Sequence, residues 1–155
     1  KAILDFMEER GATLSVAESC TGGYLSHLIT QHAGSSAVFL GGAVTYSNNL
    51  KIRLLSVPPE TIEKSGAVSE ETVKLMAGGS LINFKSDYSV AISGIAGPGG
   101  GTEDKPVGIV WVAVAGPKGV ISKKYQFGSR RTQNIERAAI NALTLLFHIL
   151  KEDYS

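Results

Sequence analysis

The feature that most constrains the fold is "PVGIVWVAVAG", residues 106 to 116. Ile109, Val110, Trp111, Val112, Ala113 and Val114 follow one another without a polar residue, so a strand built from them has no face to offer water. Such a strand belongs inside a sheet that is covered on both sides. The alternating "VISKKYQFG" comes next, joined through "GPKG", and reads as its hairpin partner. "TLSVAES" and "DYSVAISG" read as two further strands, and a single helical turn in "SSAVFLGG" leads to another through "AVTYS".

Helical patterns separate these strands. "AILDFMEERG" places Ile3, Leu4, Phe6 and Met7 on one face, with Gly11 as its C-cap. "TGGYLSHLITQHAG" opens at Thr21 and closes at Gly34. Asn48 can cap "NLKIRLLSV", which Pro58 and Pro59 stop. A short helix then turns at Gly66 into a longer one capped by Ser69, with Glu70 and Glu71 at its positive end. The Gly78-Gly79 pair inside it weakens the helix and marks close packing. The last helix, "RTQNIERAAINALTLLFHILKE", turns Ile135, Ala139, Leu143 and Leu146 inward. This order of elements predicts one α/β domain over residues 1–155: a three-layer αβα sandwich around a mixed sheet of about five strands.

Composition narrows the function. With 15 basic against 14 acidic residues the net charge is +1, which leaves no electrostatic footprint for nucleic acid or an anionic membrane. Any bound anion is therefore held by local groups. The single cysteine, Cys20, excludes an internal disulfide, and His27, His32 and His148 are too scattered for a metal site. No apolar stretch approaches the ~20 residues of a membrane span. With no secretory signal in these residues either, the expectation is a cytoplasmic protein without metal or cofactor.

The chemistry centres on "YSNNLK". Lys51 falls in the first turn of a helix among Leu50, Ile52 and Leu54, and both burial and the helix dipole disfavour its charged form there. A neutral lysine is a competent base for a serine. Tyr46, at the end of the preceding strand, can share the proton path or hold the amine. The alternative is a lysine that reaches water beside a packed tyrosine. Ser36, in "GSS", sits where a helical turn begins, near free N–H groups that can form an oxyanion hole or that it simply caps. Cys20 is the rival nucleophile, also near a helix start, and with Glu18 and Lys51 supplies the residue types of a nitrilase-like site. A buried, inert thiol is the alternative. Glycine-rich segments at several strand ends, "GIAGPGGGTEDKPVG" among them, match no phosphate-binding fingerprint.

"AESCTGG", "GSSAVFLGGAVTYSNNLK", "GAVSEE", "AISGIAGPGGGTEDKPVG" and "FGSRR…IERAAINAL" stand in an order that resembles the CinA C-terminal family. The resemblance spans about Ala2 to Leu150. Some members of the family stand alone as nicotinamide mononucleotide deamidases, and in CinA proteins the domain can follow an N-terminal domain of different activity. The resemblance implies an amidohydrolase that releases ammonia from this mononucleotide, without metal, in a homo-oligomer, commonly a dimer or tetramer. It implies Ser36, Tyr46 and Lys51 as the catalytic set. Gly94, Ala96, Gly97 and Thr102 are implied as a substrate loop, and Glu18, Ser19 and Thr21 as a second wall. An arginine at the head of the last helix is implied near the phosphate. The usual "GDR" reads "GSRR" here, so Arg130 and Arg131 are equal candidates. Two alternatives stand beside this reading: a non-catalytic nucleotide-binding or regulatory module, and an amidase that depends on Cys20.

Overall fold

A computed structural model describes residues 1–155. In chain order the elements are α1 (Ala2–Glu8), β1 (Leu14–Glu18), α2 (Tyr24–Thr30), a 3-10 turn (Ser35–Ala37), β2 (Phe39–Val44), α3 (Asn48–Leu55), α4 (Pro59–Ser65), α5 (Glu70–Asn83), β3 (Tyr88–Gly94), β4 (Ile109–Gly116), β5 (Gly119–Gln126) and α6 (Arg131–Asp153). The five strands form one sheet in the order β2-β1-β3-β4-β5. β1 runs parallel to both β2 and β3, while β4 pairs antiparallel with β3 and β5. The sheet is mixed, as expected, and β4 is an interior strand.

The two faces of the sheet differ in bulk. Val16, Val90, Ile92, Val110, Val112 and Val114 point into a large core closed by α1, α2 and α6. Ala17, Ala91, Ala113 and Ala115 face α3 and α5, with Val73, Met76 and Ala77 packed on them. Small residues on that face let α5 lie close to the strands. They also let α3 lie close to α5: a Cβ on Gly79 would sit 1.7 Å from the Leu55 carbonyl oxygen. Gly78 has nothing within 4 Å, so the close packing expected of the pair belongs to Gly79 alone.

Several boundaries move by a residue or more. β2 starts at Phe39 and stops at Val44, so Thr45 and Tyr46 already lie beyond the strand. Ser47, not Asn48, caps α3, its hydroxyl accepting from the Leu50 N–H. Pro59 starts α4 at a first-turn position where its missing N–H costs nothing. In α6 the inner face is carried by Ala138, Ala139, Ala142, Leu146, Ile149 and Leu150, while Ile135 and Leu143 are half-buried. No helix is long and apolar enough to cross a membrane.

The connections place the site. From β1 the chain reaches β2 by α2 on one face, then crosses back to β3 by α3, α4 and α5 on the other. Beyond the C-terminal ends of β1, β2 and β3 this change of side leaves a crevice, where open α/β sheets bind ligands.

Candidate active site

A cavity of about 260 Å³ occupies that crevice. Each parallel strand delivers its next residues into it: Ser19 and Cys20 after β1, Tyr46 and Lys51 after β2, Ser93 through Gly97 at the end of β3. Arg131, the first residue of α6, closes the far side. No carboxylate lines the cavity, and its two strongly basic side-chain types are Lys51 and Arg131.

Lys51 is the deepest of them, only 1% exposed. Its burial does not come from its chain neighbours, since Leu50 and Ile52 are half-buried and Leu54 is exposed. The side chain instead turns into the crevice, where Nζ donates to the Thr45 carbonyl at 2.6 Å and more weakly to that of Tyr46 at 3.4 Å. The third neighbour is Ser19 Oγ, 3.0 Å away. Loss of hydration lowers the Lys51 pKa from its ordinary 10.5. A neutral amine has two hydrogens and one lone pair. Two carbonyls that only accept, and one hydroxyl that can donate, match that inventory.

Ser36 is not that hydroxyl. It lies in the turn before β2, whereas Lys51 follows the other end of the strand. The five steps of about 3.3 Å between the first and last of the six strand residues separate those ends by roughly 17 Å, and Ser36 is exposed outside the cavity. The serine beside Lys51 is Ser19. Tyr46 is corrected in role as well: its side chain is 57% exposed, and its hydroxyl accepts from Arg131 Nη2 at 2.9 Å rather than holding Lys51.

Glu18 and Thr21 do not form a substrate wall. The Glu18 side chain is fully buried on the α2 side of the sheet and is saturated with donors. One oxygen accepts from the Thr21 hydroxyl (2.6 Å) and the N–H groups of Gly23 and Leu25. The other accepts from the N–H and hydroxyl of Ser26. It is the carboxylate that caps α2, the favoured charge at a helix N-terminus. Cys20 lines the cavity, but burial, reinforced by the charge of Glu18, pushes its thiol up to about 12. A thiol held protonated is a poor nucleophile.

Within the substrate loop Gly94, Ala96 and Gly97 line the cavity, as do Gly99 and Gly100. Thr102 does not. Its hydroxyl accepts from the Lys105 N–H and its own N–H donates to the Lys105 carbonyl, closing a turn outside the cavity. Gly97 has φ +88, and a Cβ there would meet the Val107 side chain at 2.4 Å, so only glycine fits. The head of α6 grips this loop through two side chains. Arg131 Nη1 donates to the Gly97 carbonyl, and buried Asn134 donates to those of Ala96 and Gly128. Of the two arginines, Arg131 faces the cavity and Arg130 is the N-cap outside it. Two of the five guanidinium N–H groups of Arg131 are used, leaving the others for an anion.

Other lining residues drew no attention in the sequence. Ser93 donates to the Ala67 carbonyl, and Ala67 and Val68 come from the turn before α5. Asn48 reads as a helix cap in the sequence but lines the cavity. The signal that finds them is positional: each lies at the end of a parallel strand or at the start of a helix on the same end of the sheet. No group of three or more His, Cys, Asp or Glu side chains is arranged to hold a metal ion.

Residues 1–150 match the family described as CinA C-terminal domain. A CinA-like protein from Parasynechococcus marenigrum is 50% identical over 144 residues, covering 93% of this chain and 33% of the relative. One from Cytophaga hutchinsonii is 47% identical over 146 residues, covering 94% and 35%. The chain thus spans about a third of the length of these curated relatives. The crystal structure of competence/damage inducible protein CihA from Agrobacterium tumefaciens superposes with a TM-score of 0.94 at 40% identity, covering 97% of this chain and 92% of that one. A competence-damaged protein (CinA) superfamily structure from Escherichia coli gives 0.92 at 30% identity, covering 96% and 86%. The chain belongs to the CinA C-terminal domain family.

Proposed function

We propose that this domain is an amidohydrolase that converts nicotinamide mononucleotide to nicotinate mononucleotide and ammonia, with Ser19 as nucleophile and Lys51 as base. One observation carries the reading: the nitrogen of a buried lysine with no carboxylate partner lies 3.0 Å from a serine hydroxyl inside a cavity. That is nucleophile and base within direct reach.

In the first step Lys51 Nζ takes the Ser19 proton as Oγ bonds to the carboxamide carbon. The Cys20 N–H, next to the nucleophile in the chain and on a residue that lines the cavity, is bonded to no backbone carbonyl and is the donor assigned to the oxyanion. The C–N bond then breaks as Lys51 returns the proton to the leaving nitrogen, and ammonia departs from a Ser19 ester. Water attacks the ester with Lys51 again as base, the proton passes back to Ser19 Oγ, and the product leaves as the carboxylic acid, which ionises to the carboxylate in water. Arg131, steadied by Tyr46 and the Gly97 carbonyl, supplies a positive charge for the phosphate, whose binding orients the amide. A positive cavity without a carboxylate favours an anionic substrate over a neutral amide.

Ammonia release from nicotinamide mononucleotide tests the assignment. Ser19→Ala should lose at least about a thousandfold in kcat while keeping its melting temperature. Ser36→Ala and Cys20→Ala should both stay within a few-fold of the parent. Full turnover by Ser19→Ala, or its loss in Ser36→Ala with Ser19 intact, would reject the dyad. Binding of the mononucleotide by the parent chain without any ammonia release would instead favour a non-catalytic module.

A further inference from the structure

We infer that Asn48 is the residue that reads the sugar of the substrate, by hydrogen bonding to its vicinal hydroxyls. The inference rests on the amide hydrolysis proposed above and adds a specificity determinant to it. Almost every other polar side chain of the cavity already has a partner. Ser19 and Lys51 engage each other, Ser93 donates to Ala67, and Tyr46 and Arg131 hold one another. Apart from the weakly polar Cys20 thiol, Asn48 alone lines the cavity with both its carbonyl oxygen and its NH₂ group unpaired within the protein.

Its position suits a sugar. Asn48 and Lys51 are three residues apart on α3 and so lie on one helix face. The dyad takes the carboxamide at one end of the substrate and Arg131 takes the phosphate at the other. The ribose lies between them. A primary amide offers one acceptor and two donors in a plane, which suits two adjacent hydroxyls that each donate and accept. Asn48 is exposed, and the helix cap is supplied by Ser47, so replacing Asn48 leaves the fold intact.

The test compares Asn48→Ala with the parent on nicotinamide mononucleotide and on its 2′,3′-dideoxyribose analogue, read by ammonia release. The parent should favour the natural sugar in kcat/KM by about tenfold or more, and Asn48→Ala should reduce that preference by about three- to tenfold, the worth of one or two neutral hydrogen bonds. The loss should fall mainly on KM for the natural sugar, with the dideoxy substrate nearly unaffected. A preference unchanged in Asn48→Ala, with the parent active, overturns the role of Asn48 and leaves the amidohydrolase reading standing. A parent chain that releases no ammonia from the mononucleotide overturns both.

Discussion

Lys51 owes its chemistry to the end of its side chain rather than to its neighbours in sequence. The apolar residues around it in the chain point elsewhere; its nitrogen is dried by the crevice and met by two main-chain carbonyls and Ser19. The same distinction separates the two arginines, adjacent in sequence, of which Arg131 lines the cavity and Arg130, the N-cap of α6, does not. Arg131→Ala should raise KM for nicotinamide mononucleotide by about 10- to 100-fold, the range for losing a charged hydrogen bond. Arg130→Ala should change it by less than about threefold. Nicotinamide riboside, which lacks the phosphate, should be indifferent to both in a parallel KM measurement. An equal penalty on the riboside would show that Arg131 acts only by bracing Gly97 and Tyr46.

Among the elements, α5 carries the sharpest contrast. Gly79 lies against the Leu55 carbonyl of α3, where any Cβ collides with backbone, whereas Gly78 faces open space. Gly79→Ala should lower stability by about 1–3 kcal/mol through overpacking. Gly78→Ala should raise it by about 0.5–1 kcal/mol through helix propensity. Chemical denaturation of the two variants checks both signs. Because α3 carries Lys51 and Asn48, the Gly79 variant should also lose activity out of proportion to its folded fraction. The sequence shows that the glycine pair is unusual for a helix, but which member touches α3 depends on helix phase against a neighbour that periodicity does not locate. The caps show the same limit. Ser47 and Asn48 are both good N-caps, and only the observed backbone, extended at Ser47, decides between them.

At the scale of the whole molecule, the three layers, the mixed sheet and the interior placement of β4 were legible because burial on both faces leaves a pattern in the chain. The pairing of Lys51 with Ser19 rather than Ser36 is not legible in the motifs themselves, but it is in the order of the elements. Ser36 and Lys51 bracket a strand, so they lie at opposite ends of the sheet, while Ser19 and Lys51 follow parallel strands, Gly94 ends a third, and all three meet at one end. Glu18 illustrates the same limit: it stands beside Ser19 in sequence, but alternation along β1 turns its side chain to the α2 side of the sheet. The proposed catalysis depends on an amine that is uncharged when it meets Ser19. Because burial lowers the Lys51 pKa below 10.5, the unprotonated base gains population as pH rises through that lowered value. The most direct measurement is kcat/KM for ammonia release from nicotinamide mononucleotide between about pH 5 and about pH 10. It should climb tenfold per pH unit on the acid side and level off above a single pKa lying below 10.5. A profile that is flat across that range, or that falls as pH rises from its acid end, would contradict Lys51 as the base.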